Sequence, residues 1–258
     1  MDARETSNVP VQAVETTFDI IAGLQELDSA GITELATHLD RSKSTVHNHL
    51  RTLEGRGYVI SEDGEYRLGL RFLDHGSFAR ARNPSYSVVE PKVRDLAEET
   101  GEICQFVVEE DGRGIVVFQE RGEHAVETRT RVGTSVPLNG IPGGKAILAY
   151  LPDERVTGIV DEYGLPAVTE ETITDRGKLE ETFPRIREQG YAINREEHIK
   201  GMRAISVPIR TTEGTLLGAM NVAGPSYRLE EPNYQQDVTN QLLGVANELE
   251  LNVTYSRF

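Results

Sequence analysis

The sequence predicts an α+β protein in two parts, and three observations support this. Three helical patterns precede one hairpin pattern within residues 9–69. After the Asn83-Pro84 dipeptide, where proline discourages a helix from continuing, amphipathic helices are mixed with hairpin-connected strands. We therefore expect a disordered tail over residues 1–8, an N-terminal domain over 9–69, a linker helix over 70–83 and a larger domain over 84–258.

The N-terminal domain begins with three amphipathic helices. In the first helix, apolar residues recur at steps of three and four and predict one buried stripe, formed by Val11, Val14, Phe18, Ile21, Leu24 and Leu27. Thr33 and Ser42 are expected to cap the second and third helices, because their side-chain oxygens can accept hydrogen bonds from free backbone N–H groups. Val46, Leu50 and Leu53 of the third helix then face the core.

A hairpin pattern follows the third helix. The Asp63-Gly64 dipeptide is typical of a tight turn, and strand residues flank it at 58–60 and 66–68. Three helices closed by a two-stranded ribbon constitute a winged helix-turn-helix, whose third helix enters the major groove of DNA. We therefore expect the N-terminal domain to bind double-stranded DNA.

The outer face of the third helix is polar and basic. Between Arg41 and Arg56 the chain carries four basic groups against one acid, Glu54. The turn of the hairpin is acidic, so we expect the neighbouring arginine of the second strand to contact phosphate instead. His49 is expected to pack at the edge of the apolar stripe. The predicted DNA-binding residues are Lys43, Ser44, Thr45, His47, Asn48, Arg51 and Arg67.

The net charge of −15 at pH 7 is unfavourable for a DNA-binding protein, because phosphate attraction favours a basic surface. Only five of the 27 basic residues are lysines, and the acids are spread along the whole chain. This composition is similar to that of proteins from salt-accumulating archaea, in which concentrated counterions screen surface carboxylates. We attribute the charge to a halophilic archaeal habitat.

Composition also limits the location and the chemistry. No apolar run is long enough to span a membrane, and residues 1–10 do not have the order of a signal peptide, so we expect a cytoplasmic protein without membrane contact. The single cysteine, Cys104, excludes an internal disulfide and a cysteine-built metal site, and is expected to be a small buried strand residue. No metal and no cofactor are expected.

The larger domain contains a loop rich in glycine and proline over residues 133–145, followed by a helix from Gly144 to Leu151. Such a loop directs backbone N–H groups and a positive helix end toward a cavity, which suits a carboxylate. Lys145 is expected to face solvent or to attract the anion, with a catalytic lysine as the less favoured alternative.

The other elements of the larger domain are predicted from periodicity and turn residues. A helix ends at Gly101, Thr174 caps a helix that ends at Gly190, and a closing helix starts at Asn233. Strands are predicted over residues 103–108, 115–118, 125–132, 202–209 and 216–223.

The order of short motifs resembles that of IclR-type regulators over residues 10–250. The motifs are Ile32-Thr33-Glu34-Leu35-Ala36, Ser42 to Val46 with Leu50 and Leu53, Tyr66-Arg67-Leu68-Gly69, Gly144-Lys145-Ala146 with Leu148-Ala149, Gly190-Tyr191-Ala192, Glu196-Glu197, Gly201 to Pro208, and Gly224-Pro225. The resemblance implies that the larger domain is GAF-like, with a six-stranded antiparallel sheet. The family often has arginine and leucine at Asn48 and His49, but asparagine can still pair with adenine.

By the same resemblance, a ligand pocket lies between that sheet and the glycine-rich loop. Its implied lining residues are Gly143, Gly144, Asn194, Met202, Ala204, Asn221 and Ala223. Several family members have aspartate at position 194 and cysteine at position 204, and serine at positions 221 and 223. The pocket of this chain would then suit a neutral or hydroxylated organic acid held by amides. Alternatively, Met202, Ala204 and Ala223 are simply core residues of the sheet.

The resemblance implies a transcription regulator that binds a roughly palindromic operator as a homodimer or homotetramer. A small organic effector, such as a carboxylic or sugar acid in catabolic gene control, would modulate this binding. We do not expect an enzyme, because the sequence contains neither Gly-x-Ser-x-Gly nor His-Glu-x-x-His and no histidine signature near the cysteine. The alternative is a small-molecule sensor whose winged domain binds a protein partner instead of DNA.

Overall fold

The computed structural model describes residues 11–255, with side chains up to Val253. The tail predicted over residues 1–8 lies outside the described residues. The chain forms two compact units. The N-terminal unit ends at Arg82, and the C-terminal unit begins at Asn83.

The N-terminal unit contains four helices and a small antiparallel sheet of order β1-β3-β2 among its described residues. Its elements are α1 (Gln12–Leu27), β1 (Ala30–Gly31), α2 (Ile32–His38), α3 (Lys43–Gly55), β2 (Val59–Glu62), β3 (Glu65–Leu68) and α4 (Arg71–Ala81). Asp63 and Gly64 both have positive φ, as the tight turn between β2 and β3 requires.

The buried face of α1 differs from the predicted stripe. Ile20 and Leu24 are buried, whereas Val14 and Phe18 are 50% and 64% exposed. Gly23 explains why the face with Ile20 and Leu24 is the buried one. A Cβ atom at position 23 would lie 2.9 Å from the side chain of Leu35, so the absence of a side chain lets α2 pack against this face. Val11 precedes the helix and is also exposed. Periodicity therefore identified the helix but placed part of its apolar surface on the wrong side.

The start of α2 also differs from prediction. Ala30 and Gly31 pair with β3, so the chain is still extended at Gly31, which is the N-cap residue. Thr33 lies inside the first turn, where its carbonyl accepts a hydrogen bond from the Thr37 hydroxyl. The short strand β1 was not predicted, because two residues carry no periodic signal.

The C-terminal unit is built on a six-stranded antiparallel sheet of order β6-β5-β4-β9-β8-β7. Its strands are β4 (Ile103–Glu110), β5 (Arg113–Arg121), β6 (Ser135–Pro137), β7 (Ala192–Arg195), β8 (Met202–Arg210) and β9 (Leu216–Pro225). Its helices are α5 (Tyr86–Thr100), α6 (Gly144–Leu148), α7 (Asp153–Tyr163), α8 (Arg176–Gln189), α9 (Ser226–Leu229) and α10 (Pro232–Tyr255). The predicted α+β class and the six-stranded antiparallel sheet are confirmed.

Helices cover both faces of this sheet. Successive side chains of a strand point to opposite faces, so Phe106 and Val107 of β4 enter different cores. Phe106 packs in a core with residues of α5 and α10. Val107 packs in a second core with residues of α6, α7 and α8. The second core lies on the side of the glycine-rich loop.

Residues 125–132 do not form the predicted strand. On the outer edge of β5, the strand β6 pairs only with residues 113–115, with Gly114 opposite Val136. The segment is held by other contacts: Arg121 donates to the Thr128 carbonyl at 3.0 Å, and the Thr130 hydroxyl lies 3.2 Å from Nε2 of His198. The segment is therefore fixed by side-chain contacts and forms no ladder with a strand among the described residues.

Three helix predictions also need correction. Asp175, not Thr174, caps α8, and its side chain accepts a hydrogen bond from the Lys178 backbone at 2.8 Å. The helix that begins at Gly144 ends at Leu148 and does not reach Leu151. The helix α7, whose buried residues are Val156 and Ile159, was not predicted.

Candidate DNA-binding face and effector pocket

The helix α3 begins at a side-chain cap, as predicted. The Ser42 side-chain oxygen accepts a hydrogen bond of 3.1 Å from the Thr45 backbone N–H, and the two hydroxyls lie 2.8 Å apart. Three apolar side chains of α3 are buried in the core of the N-terminal unit: Val46, Leu50 and Leu53. The cap and this stripe determine which face of α3 points outward.

The outward face of α3 carries six of the seven side chains predicted to bind DNA. Lys43, Ser44, Asn48 and Arg51 are exposed, and Thr45 and His47 are half-buried. This face therefore presents two cations, an amide, two hydroxyls and an imidazole to solvent within the N-terminal unit. These are the groups that contact phosphates and base edges when a helix lies in the major groove.

The seventh residue, Arg67, lies on β3 and is exposed. Its guanidinium is 3.9 Å from the Glu62 carboxylate across the hairpin. An exposed ion pair at this distance is weak, so a phosphate could replace Glu62 as the partner of Arg67.

His49 connects α3 to α1. Its Nδ1 atom lies 2.8 Å from the Thr17 hydroxyl, and the ring is half-buried. This arrangement agrees with the packing role expected for His49. It also ties the orientation of α3 to the first helix.

A shallow pocket opens in the C-terminal unit at the end of the sheet, and its about 330 Å³ of unfilled space includes open solvent. Three of the residues implied by the resemblance line it: Asn194, Met202 and Ala223. Ala204 is fully buried and packs with Ile103 and Ala223 beneath the pocket wall.

The structure does not place Gly143, Gly144 or Asn221 on the pocket wall. Pro142 lines the pocket instead, and its carbonyl accepts a hydrogen bond of 3.4 Å from the fully buried Asn221 amide. A Cβ atom on Gly144 would lie 1.8 Å from the Leu138 carbonyl oxygen. Gly144 thus permits close packing of the loop on itself, and its backbone N–H donates to the Ile141 carbonyl.

The pocket wall also contains polar residues that sequence reasoning missed, namely Gln105, Thr128, Thr130, His198 and Arg203. Gln105 could have been predicted, because it is a polar residue among the apolar residues at the start of β4. No local pattern could identify Thr128 and Thr130, because their position depends on how the irregular segment crosses the sheet.

Two nitrogen atoms of the pocket wall are buried without a hydrogen-bond partner among the described residues: Nδ1 of His198 and Nε of Arg203. By contrast, the Asn194 amide donates to the Gly140 carbonyl and accepts from the Glu197 backbone, both at 3.2 Å. Burial lowers the pKa of His198, which favours a neutral ring. Arg203 also forms an ion pair of 2.7 Å with Glu230 through its terminal nitrogen, so its Nε is the part of that side chain without a partner.

Lys145 does not face solvent, contrary to expectation. Its side chain is 8% exposed and contacts the Glu197 carboxylate, which is buried to a similar extent. Burial lowers the pKa of Lys145, and the charge of Glu197 opposes that shift. The lysine of the glycine-rich loop therefore forms a buried ion pair and cannot attract a ligand to the pocket.

Cys104 is buried on β4, as expected. Burial raises the pKa of its thiol to about 12, so it is protonated at neutral pH. Among the helices of residues 11–255, none combines the length and apolar character that crossing a bilayer requires.

Both units match family models. Residues 13–62 match the IclR helix-turn-helix domain, and residues 82–251 match the C-terminal domain of bacterial IclR transcriptional regulators. The chain is 32% identical to the probable HTH-type transcriptional regulator ArcR of Halobacterium salinarum, over 94% of each chain. It is 31% identical to the transcriptional repressor IclR of Escherichia coli, over 79% of this chain and 76% of the repressor.

Solved structures show the same fold. The IclR protein of Thermotoga maritima superposes with a TM-score of 0.78 at 23% identity, over 94% of this chain and 98% of that one. An IclR homologue of Microbacterium hydrocarbonoxydans, crystallised with 4-hydroxybenzoate, superposes with a TM-score of 0.72 at 22% identity, over 92% and 98% of the two chains. Sequence, fold and site together show that this chain belongs to the IclR family of DNA-binding transcription regulators with a C-terminal effector domain.

Proposed function

We propose that this protein is a sequence-specific transcription regulator that reads an operator with α3. The observation that carries this proposal is the outward face of α3, where Lys43, Asn48 and Arg51 are exposed while the opposite face is buried. The first turn of α3 enters the groove, Asn48 pairs with a base, and the lysine and arginine contact phosphates or guanine. Arg67 contacts the backbone beside the groove.

The test is selection of bound sequences from randomised duplex DNA, at a potassium chloride concentration where the protein is folded. We expect a roughly palindromic motif. Asn48→Ala should relax the preference at one base position in each half-site, whereas Gln25→Ala, an exposed amide on α1, should leave the motif unchanged. Failure to enrich any motif would refute DNA reading and would favour a protein partner for the winged domain.

We infer that the active form is a homodimer or homotetramer. Apolar side chains of the N-terminal unit stay exposed on α1 and α4, and α4 buries none of its residues within the described chain. The exposed residues are Val14, Phe18, Leu73 and Phe78. Covering them with a second copy would remove apolar surface from water and would pair two recognition helices for a two-fold operator.

We infer that a small organic acid in the pocket modulates operator binding, in the control of catabolic genes. Apolar side chains of Ile103, Met202 and Ala223 suit its carbon skeleton, and the free nitrogens of His198 and Arg203 suit its oxygens. Binding would change operator affinity only by favouring one arrangement of the DNA-binding units over another. We infer no catalytic activity, because the one hydroxyl–imidazole contact of the pocket wall, Thr130 with His198, has no third group orienting the ring: Nδ1 of His198 has no partner among the described residues.

The effector is tested with a panel of organic acids, including 4-hydroxybenzoate, each paired with its neutral carboxamide. We expect an acid, but not its amide, to raise the unfolding temperature and to change operator affinity. Met202→Trp, which fills the pocket, should abolish both responses. If no acid in the panel acts, the organic-acid assignment fails, while DNA reading is judged separately by the selection experiment.

A further inference from the structure

A second cavity of the C-terminal unit runs along β7 beside α8. The strand β7 is at one end of the sheet order, so one of its edges has no neighbouring strand. The cavity is open to solvent, and its about 680 Å³ of unfilled space includes part of that solvent. The two cavities share no lining residue. We call this cavity the β7 groove.

The β7 groove is basic in a strongly acidic protein. Lys178, Arg185 and Arg195 line it and are exposed, and Glu181 is the only acid among the described residues of its wall. Over the whole chain, 42 acids outnumber 27 basic residues. A local excess of cations is therefore contrary to the composition of the chain.

The cations of the groove are not neutralised by neighbours. Within the part of the chain that the structure describes, neither Lys178 nor Arg195 forms an ion pair, and Arg185 donates only a 3.3 Å hydrogen bond to Gln189. Partial burial lowers the pKa of Arg195, and the charges of Arg203 and Arg185 lower it further. Arg185 and Arg195, the two arginines of the groove, therefore repel each other, and an anion bound between their guanidinium groups would relieve that repulsion.

The buried ion pair at the bottom of the groove does not involve the side chains of Lys178, Arg185 or Arg195. Lys145 reaches the groove, but its charge is matched by Glu197. The same carboxylate accepts a 3.3 Å hydrogen bond from the Arg195 backbone N–H. Glu197 is thus bonded to Lys145 and to the backbone of β7. The Arg195 guanidinium and the terminal nitrogens of Arg185 keep their donors for a ligand, while Nε of Arg185 donates to Gln189.

We propose that the β7 groove is a binding site for a compact anion with at least two negative charges, such as a phosphate ester or a dicarboxylate. Guanidinium groups bind such anions with two parallel hydrogen bonds, and Lys178 adds a point charge at the rim. Since the groove and the effector pocket have separate walls, both can be occupied at once. The site is thus a second ligand site, beyond the proposed effector function.

The test titrates inorganic phosphate, and separately succinate, into the full-length protein at constant potassium chloride concentration. Thermal unfolding gives the apparent dissociation constant, and ³¹P line broadening reports phosphate directly. We expect saturable binding by at least one probe, and the probe that binds more tightly identifies the ligand class. The double variant Arg185→Gln/Arg195→Gln should weaken that binding at least tenfold.

The control is Arg94→Gln, which removes one charge from an exposed position on α5, outside the groove. Arg94→Gln should bind the probe as the wild type does. Equal binding by the double variant and the wild type would overturn the proposal. Absence of saturable binding by both probes in the wild type would overturn it as well.

Discussion

The Ser42 side-chain oxygen accepts a 3.1 Å hydrogen bond from the backbone N–H of Thr45, at the point where the recognition helix begins. Free N–H groups at a helix start need such a partner, so this contact stabilises the first turn of α3. The side chains of that turn, including Lys43 and Ser44, point outward from it. The cap therefore connects local stability to the geometry of the face that we propose to bind DNA.

Ser42→Ala should destabilise the N-terminal unit by about 1 kcal/mol, because one backbone N–H loses its acceptor. Hydrogen exchange of the Leu50 and Leu53 amides in the full-length protein measures the change. Ser44→Ala is the matched control on the exposed side of the same turn and should alter stability by less than about 0.5 kcal/mol. Equal losses in the two variants would contradict the capping role.

Lys43→Ala and Arg51→Ala should weaken operator binding. If Lys43 contacts phosphate, its removal reduces the slope of log affinity against log salt by about 1. If Arg51 contacts a base, its removal costs about 1–3 kcal/mol and relaxes one position of the motif. Fluorescence anisotropy across a potassium chloride series measures both. Arg94→Ala, an equal charge change in the C-terminal unit, should bind as the wild type does.

Lys145→Met should destabilise the C-terminal unit by about 3–5 kcal/mol, because the buried Glu197 carboxylate loses its partner. Denaturant titration measures this loss. The double variant Lys145→Met/Glu197→Leu should recover at least half of it, since no buried charge remains. Lys178→Met, at an exposed lysine, should change stability by less than about 0.5 kcal/mol, and a similar loss there would show that the buried pair is unimportant.

His198 should make the C-terminal unit less stable in mild acid. Burial lowers its pKa in the folded state, so below the ordinary pKa of about 6.5 the unfolded chain binds a proton that the folded chain does not. Stability from this group is therefore complete above about pH 6.5 and falls as the pH drops toward the folded pKa.

The measurement compares the unfolding free energy at about pH 7.5 and about pH 5.5 for the wild type and His198→Gln. The wild type should lose more stability than the variant, by at most about 1.4 kcal/mol per pH unit. The other charges near the pocket, Arg203 and its partner Glu230, are the same in both proteins. Parallel pH profiles would exclude His198 as the source.

Phe78→Glu should lower the oligomeric state, if α4 is covered by a second copy. The Phe78 side chain is 75% exposed, and a carboxylate there would oppose burial in an apolar interface. Light scattering after size-exclusion chromatography gives the mass. Tyr227→Glu is the control, because Tyr227 is equally exposed but lies on α9 of the C-terminal unit. An unchanged mass for Phe78→Glu would exclude α4 from the interface.

Sequence patterns predicted most elements, with errors that have physical causes. The hairpins at Asp63-Gly64 and Asp111-Gly112 form two-residue turns, although β5 begins at Arg113, two residues before the strand predicted over residues 115–118. The strand expected over residues 125–132 does not form, and that segment is held instead by the contacts of Arg121 with Thr128 and of Thr130 with His198. Predictions failed where the outcome depended on contacts with side chains elsewhere in the chain.

The predicted pocket residues also show that sequence patterns do not reveal contacts between distant segments. Alternation along β8 and β9 places Met202, Ala204, Asn221 and Ala223 on one face, which sequence can show. Which of them reach the pocket depends on the depth of the loop at Pro142, which lines the pocket and is bonded to Asn221. The sequence therefore predicted which residues share one face of the sheet. The packing of the loop on that face determines which of them line the pocket.

The sequence by itself determined the recognition helix: its cap at Ser42, its buried stripe and its polar outer face all follow from interactions between residues three or four apart. Only the tertiary structure decided the role of Lys145, whose partner Glu197 is 52 residues away along the chain. The physical reason is range. A cap or a turn is stabilised by neighbouring residues, whereas burial of a charge depends on which distant groups the completed fold brings beside it.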